Sequence, residues 1–288
     1  MTQNTAQIIA SYGRRYIVRT PEKRTFEAST RSKRTDYACG DWVQIQIINA
    51  EQAVIEQHLP RQSLLYRQDA WKSKLIAANV SQLWVVTAAV PSPSETLLQR
   101  ALIAAEAAEI DARIVLNKSD LPESAMWREK LRFYEKWGYQ VVELSALNDV
   151  SCLKPLLQGN TNIFLGQSGM GKSTLTNALL GEHIARTNEI SAALDSGKHT
   201  TTHAQLYDLN EETKLIDSPG LQEFGLHHLK LGDLPQYFPD LRHLIGQCRF
   251  HNCTHRAEPN CAFKLAAERG EIRSERLELL QKISDELG

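Results

Sequence analysis

The sequence predicts a multidomain α/β protein with a small N-terminal β-barrel (1–68), a central strand–helix domain (69–228) and a short helical C-terminal region carrying a Cys/His cluster (229–288). Three observations predict it. Between residues 11 and 65, short apolar stretches are broken by turn residues. From Ser81 onward, strand and helix patterns alternate. Three of the five cysteines fall between Cys248 and Cys261, among histidines.

In the first region, residues 15–19, 25–28 and 42–48 have strand character, and Gly13, Pro21, Gly40, Asp41 and Asn49 punctuate them. Several short strands within fewer than 70 residues imply a small barrel. In the second, 83–89 reads as a buried strand, and 95–110 places Leu97, Leu98, Ala101, Leu102, Ala105 and Ala108 at helical spacing. Strands follow at 113–116, 140–144, 162–165, 204–209 and 214–216, with helices at 124–137, 150–157 and 172–180. Such alternation implies a mostly parallel sheet covered by helices on both faces. Helices at 263–268 and 273–286 end the chain.

With 288 residues, 42% of them apolar and 23% charged, the chain has material for two or three cores and is too apolar to be wholly disordered. No stretch approaches the roughly 18 uninterrupted apolar residues of a membrane span. The first ten residues lack the basic start and apolar run of a secretory signal, so a soluble cytoplasmic protein is expected. Net charge is −1, but Gly13 to Arg34 holds eight basic and two acidic residues, a local +6 that leaves −7 elsewhere. That asymmetry is a footprint of polyanion binding, and a solvated strand face is the competing reading. Tyr12, Tyr16 and Phe26 interleave with the basic residues, although aromatics in so small a barrel more often fill its core.

The chemistry is concentrated in loops at strand ends. Gly166, Gln167, Ser168, Gly169, Met170, Gly171, Lys172 and Ser173 fit G-x-x-x-x-G-K-[ST], follow an apolar strand and open a helix that continues with Thr174. The glycines let backbone N–H groups close around a phosphate at the positive end of a helix. Lys172 supplies a charge to the β- and γ-oxygens, and Ser173 a hydroxyl to Mg²⁺. Asn117, Lys118, Ser119 and Asp120 end another buried strand. There Asp120 can accept from guanine N1–H and the exocyclic amine, a donor pair that adenine lacks, so GTP is expected rather than ATP. Asn117 can tie the base pocket to the phosphate loop, Lys118 can lie over the purine, and Ser145 and Ala146 complete the pocket. Asp217 ends a strand and can hold the Mg²⁺ hydration shell, while the Gly220 N–H can meet the γ-phosphate. In Gly197 to His203 one threonine closes over Mg²⁺; Thr201 is the expected one, with Thr200 and Thr202 as alternatives. Catalytic roles are thus expected for His199, Thr201, Asp217 and Gly220. A water-orienting Gln commonly follows D-x-x-G; here Leu221 stands there and Gln222 comes one position late. Slow hydrolysis by the isolated protein follows, with His199 or His203 as candidate helpers.

Cys248, Cys253 and Cys261, with His255 or His251, offer three thiolates and an imidazole, a closed tetrahedral set suited to one structural Zn²⁺. These motifs run in permuted order: base recognition at Asn117, then Ser145, the phosphate loop at Gly166, the threonines and Asp217. The mobile segment after Asp217 therefore leads straight into the C-terminal region.

Order, motifs and Cys/His cluster together resemble the circularly permuted ribosome small subunit-dependent GTPase A family over nearly the whole chain. The resemblance implies an N-terminal OB-fold that binds RNA, a circularly permuted P-loop GTPase domain and a C-terminal zinc-binding domain, and it favours His255 over His251. It also implies late maturation of the small ribosomal subunit and its rRNA, which stimulates GTP hydrolysis to GDP and phosphate by a monomer. Lys198 stands where the family often has Arg. A second reading is a non-enzymatic RNA-binding module whose GTP site is only a sensing switch.

Overall fold

The computed structural model describes residues 4–13, 15–31, 36–69, 71, 73–181 and 203–288. The predicted His199, Thr201 and the residues beside them, Lys198, Thr200 and Thr202, lie outside these, as do Arg14, Lys33 and Arg34.

Five strands form the barrel: β1 (Asn4–Tyr12), β2 (Arg15–Arg19), β3 (Thr25–Thr30), β4 (Trp42–Ile47) and β5 (Gln52–His58). They run β1-β2-β3-β5-β4, and β4 pairs back onto β1 to close the ring. Strand alternation sends every second side chain inward, so Ile8, Tyr16, Val18, Phe26, Val43, Ile45 and Ile55 form one core. Tyr16 and Phe26 are therefore core residues. The barrel begins earlier than the sequence pattern indicates. β1 is buried on both faces: Ala6 and Ile8 face the barrel core, while Gln7 between them, 4% exposed and bonded to the Gly40 carbonyl and to Lys214 Nζ, faces the opposite way, which hides the strand periodicity.

A hairpin of β6 (Leu64–Gln68) and β7 (Ser73–Ala78) follows, in a stretch to which the sequence assigns no element because its apolar runs, 64–66 and 75–78, are short and separated by a mainly polar stretch. The central sheet is parallel in the order β10 (Gln140–Glu143), β9 (Asp111–Leu116), β8 (Gln82–Thr87), β11 (Thr161–Leu165), β13 (Lys214–Asp217). β12 (Gln205–Asp208) adds antiparallel to β13 and meets β1 at Ala10–Gln205, joining barrel and central sheet. One face of the sheet (Leu83, Val85, Ile114, Leu116, Ile163, Ile216) packs under α1 (Glu95–Ala107) and α2 (Ser124–Lys136). The other (Trp84, Val86, Val115, Phe164, Leu215) packs under α3 (Lys154–Leu157) and α4 (Lys172–Leu180). The expected two-sided sheet is present. α3 is shorter than expected because Asp149 bonds the Ser151 N–H and hydroxyl, a local turn that competes with helix.

The C-terminal region has α5 (Ala262–Glu268) and α6 (Ser274–Leu287), and its Phe238, Phe263, Leu280 and Ile283 join the core beneath α1 and α2. Arg276, 3% exposed, fixes this docking: it pairs with Asp240 at 2.7 Å, donates to Gln99 Oε1 at 2.8 Å and lies over Trp137 and Phe238. No helix among the described residues is long and apolar enough to cross a membrane.

Candidate functional site

The phosphate-loop pattern forms the turn between β11 and α4, with Gly166 and Gly171 at φ 149° and 90°. A Cβ on Gly166 would stand 2.2 Å from the Val86 carbonyl oxygen, and one on Gly171 would stand 2.3 Å from Asn117 Nδ2. These gaps let the loop close on its neighbours. Lys172 is 6% exposed and donates to the Gly166 and Gln167 carbonyls at 3.0 and 3.1 Å. Burial lowers its pKa, against the pull of Asp217. Gln167 ties the loop to the start of α1, accepting from the Ser94 N–H at 2.9 Å and donating to the Ser92 carbonyl. Ser168 and Gly169 face solvent, as does Thr174, while Met170 is buried and accepts from the Ala88 N–H through its sulfur.

Asn117 joins three loops that lie far apart in sequence. Its Nδ2 donates to the Met170 carbonyl at 2.9 Å, and its Oδ1 accepts from the Ala146 N–H at 2.9 Å. It is 1% exposed, so both bonds are shielded from water. Lys118 lays its chain across the phosphate loop, donating to the Val90 and Gly169 carbonyls at 2.9 Å each. Ser119 N–H donates to the Leu144 carbonyl, which brings the Ser145–Ala146 loop alongside, and Asp120 is exposed at the mouth.

Ser173 Oγ lies 3.4 Å from Asp217 Oδ2, so the two groups expected around Mg²⁺ face each other. The neighbouring Ser218, missed in the sequence, donates to the Phe164 carbonyl at 2.6 Å and fixes the end of β13 beside β11. Gly220 packs on the phosphate loop: a Cβ there would be 2.9 Å from Ser168 Cα. Leu221 N–H donates to the Gly166 carbonyl at 3.0 Å. Gln222 is exposed, and His203 stacks on Tyr12 of β1 with ring centroids 4.6 Å apart.

Of the basic barrel residues, Arg19 and Lys23 are committed to Asp208 at 2.8 and 3.1 Å. Arg15 and Arg31 remain largely exposed. The +6 segment thus serves partly to fasten barrel to central domain, a pairing invisible in sequence because Asp208 is remote.

Cys248, Cys253, His255 and Cys261 bring their ligand atoms within 4.8 Å of one another. The edges Cys248 Sγ–His255 Nδ1, Cys248 Sγ–Cys261 Sγ and His255 Nδ1–Cys261 Sγ measure 3.6, 3.9 and 3.4 Å. A tetrahedral ion with sulfur ligands at about 2.3 Å demands edges of about 3.8 Å, so the set fits a metal ion. His251 is exposed and outside the cluster. Burial pushes the Cys253 thiol up to about 12 and raises Cys261, so a bound cation is needed to hold them as thiolates.

Just beyond the site, His228 stacks on Tyr66 at 4.2 Å, and burial lowers its pKa to about 4. Its Nδ1 is buried without a hydrogen-bond partner among the described residues. The unfolded histidine takes up a proton near pH 6.5 that the folded one refuses. Stability should therefore be complete above about 6.5 and fall as pH drops toward 4. Urea unfolding at pH 7, 6 and 5 should show this slope reduced in His228→Phe; an unchanged slope would assign it to other groups.

The sequence model of the RsgA GTPase family matches residues 58–227. The small ribosomal subunit biogenesis GTPase RsgA of Neisseria meningitidis serogroup C is 75% identical over 284 residues, 99% of this chain and 92% of that protein. Its namesake in Nitrosospira multiformis is 45% identical over 278 residues, 96% of this chain and 89% of that protein. The crystal structure of YjeQ from Thermotoga maritima superposes with TM-score 0.72 at 27% identity, covering 99% of this chain and 98% of that one. That of YloQ, a circularly permuted GTPase, gives 0.68 at 26%, covering 99% and 95%.

Proposed function

The chain belongs to the RsgA GTPase family, and from that premise we propose that this GTP hydrolase acts in late maturation of the small ribosomal subunit. In this reading it works as a cytoplasmic monomer. It binds the subunit and its rRNA through the OB-like barrel and the metal-bearing segment, and hydrolysis of GTP to GDP drives its release. The observation that carries the nucleotide part is Asn117, whose two bonds draw the base loop, the Ser145–Ala146 loop and the phosphate loop into one pocket.

In that pocket Asp120 reads the guanine edge, Lys118 covers the ring, and Ser119, Ser145 and Ala146 line its margin. Residues 166–174 hold the phosphates. Lys172 is stored against two loop carbonyls and exchanges them for β/γ-phosphate oxygens, whose charge offsets the cost of its burial. Ser173 and Thr201 would hold Mg²⁺, with Asp217 on its water shell. When bound, this ion neutralises charge that develops on the phosphate oxygens. Gly220 offers its N–H to the γ-phosphate. Leu221 presents no polar side chain to a water, so turnover of the isolated chain is slow and the ribosome supplies the missing order, with His199 a candidate helper. Cys248, Cys253, His255 and Cys261 hold one structural Zn²⁺, the ion that Cys₃His sets favour.

The test is GTP turnover by the purified chain alone, with small subunits, and with large subunits. At least about tenfold stimulation by small subunits only is expected. Tight GTP binding without stimulation would leave an RNA-binding switch in place of a ribosome-activated enzyme.

A further inference from the structure

The segment after Asp217 must move with nucleotide state if the third phosphate is to be sensed, so whatever grips it matters. Its start is held by the phosphate loop through Leu221 N–H and the Gly166 carbonyl. Its far end is added as a short extra strand beside β6: Gln68 N–H donates to the Gly225 carbonyl at 3.1 Å, and His227 N–H donates to the Gln68 carbonyl at 3.0 Å. Arg67 reinforces this by donating to the Glu223 carbonyl at 2.9 Å. Gly225 makes the approach possible, since a Cβ there would lie 2.2 Å from Asp69 Oδ1 and 2.4 Å from the Gln68 carbonyl oxygen.

Between the two grips stands Arg100 of α1, 8% exposed. One arm of its guanidinium donates to the Phe224 carbonyl at 3.4 Å, and the other pairs with Glu286 on α6 at 2.5 Å. A buried guanidinium is costly unless all its sides are satisfied, and here the partners come from two parts of the chain, the segment after Asp217 and α6. Phe224 itself is 2% exposed, so the carbonyl that Arg100 reads is anchored in the core. Alongside lies a cavity of about 490 Å³ bordered by Gln222, Glu223 and Lys282, which leaves the backbone room to shift once the contact is broken.

We propose that Arg100 is a positioning residue for GTP hydrolysis: its guanidinium sets the segment after Asp217 against the phosphate loop and couples that segment, through Glu286, to the C-terminal helix. Lysine cannot replace it, because an ammonium on a flexible stem lacks the planar fork that spans a carbonyl and a carboxylate at once. A change of nucleotide state that shifts the segment is thereby passed to α6 through the same guanidinium. The proposal needs GTP hydrolysis only and stands whether or not the ribosomal reading does.

Single-turnover GTP hydrolysis, GDP affinity and backbone amide exchange of residues 274–287 test it on the full chain. In Arg100→Ala and Arg100→Lys, kcat should fall about tenfold with KM and GDP affinity within about twofold, the signature of an interaction made in the transition state. Glu286→Gln should cost about threefold in kcat alone and nothing further in the Arg100→Ala background. Exchange in 274–287 should differ between GDP and a non-hydrolysable GTP analogue in the wild type, and the difference should vanish in each variant. Wild-type turnover in Arg100→Lys, additive losses in the double variant, or equal losses of turnover and GDP affinity would each overturn the proposal. Should Arg100→Ala fail to fold, Arg100→Lys and Glu286→Gln carry the same test.

Discussion

Gly171→Ala should lower GTP affinity by at least about 100-fold, more than removal of any single side chain that lines the base pocket. Two costs act on the same atom. The backbone at Gly171 has φ 90°, where an L residue is strained by about 1–2 kcal/mol. The new methyl would also lie 2.3 Å from Asn117 Nδ2. That amide cannot swing aside cheaply, because it is buried and holds both the Met170 carbonyl and the Ala146 N–H. Displacing it leaves buried polar groups unpaired, at about 1–3 kcal/mol each. Together these exceed the roughly 3 kcal/mol that a hundredfold change requires. Asn117→Ala removes the obstacle and the bonds together, so it should be milder alone and should partly rescue Gly171→Ala. Titration with a fluorescent GTP analogue reads all three variants. Affinity within about threefold of wild type in Gly171→Ala would show that the loops are not joined through this amide in solution.

That joint also shows what the sequence could and could not disclose. The phosphate loop and the Asn117–Asp120 run were legible because each is contiguous and each demands particular residues, glycine at positive φ and a carboxylate at a strand end. The role of Asn117 as a tie to the phosphate loop was foreseeable from the order of motifs. Its bond to Ala146 follows from the same geometry. The barrel was legible from short strands and turns, but β1 was not, since Gln7, between the core-facing Ala6 and Ile8, is buried on the opposite face and burial there does not follow polarity. The β6–β7 hairpin was hidden because its apolar runs, 64–66 and 75–78, are short and lie apart, yet β6 pairs with β7 on one edge and receives the segment around Leu226 on the other. It also spans the 68/69 boundary drawn from the sequence. Ion pairs such as Arg19–Asp208 and Arg100–Glu286 lie 189 and 186 residues apart and carry no local signal at all. What a sequence conceals here is chiefly how its parts are fastened together.

The fastening of the C-terminal region sets the second large expectation, which concerns the metal. Stripping it with a strong chelator, or replacing a ligand by Cys261→Ser, should unfold the loop from about Cys248 to Cys261 and leave the rest folded. In isolated zinc-finger peptides structural zinc supplies about 10–16 kcal/mol, enough to decide between folded and unfolded. In this chain a bound metal would not act alone. Phe263, Leu280 and Ile283 are buried in the core shared with α1 and α2, and Arg276 pins α6 to Asp240 and Gln99 independently of any metal ligand. The ligand loop has little comparable support. Its own anchors to α5 and α6 are the His255 ring on Phe263 at 3.9 Å, the Gln281 side chain on the His255 carbonyl, and Arg256 on the Gln281 carbonyl and Asp285. All three depend on the loop keeping its shape, and the exposed Arg256–Asp285 pair adds about 0–1 kcal/mol. Metal loss should therefore open a protease-sensitive stretch within 248–261 and release one zinc per chain, while GTP affinity stays within about twofold. Limited proteolysis with mass spectrometry, beside elemental analysis, decides it. Cleavage spreading through 1–228 would mean that the shared core depends on the metal too, and a chain that never held metal would leave the cluster as three reduced thiols beside a histidine.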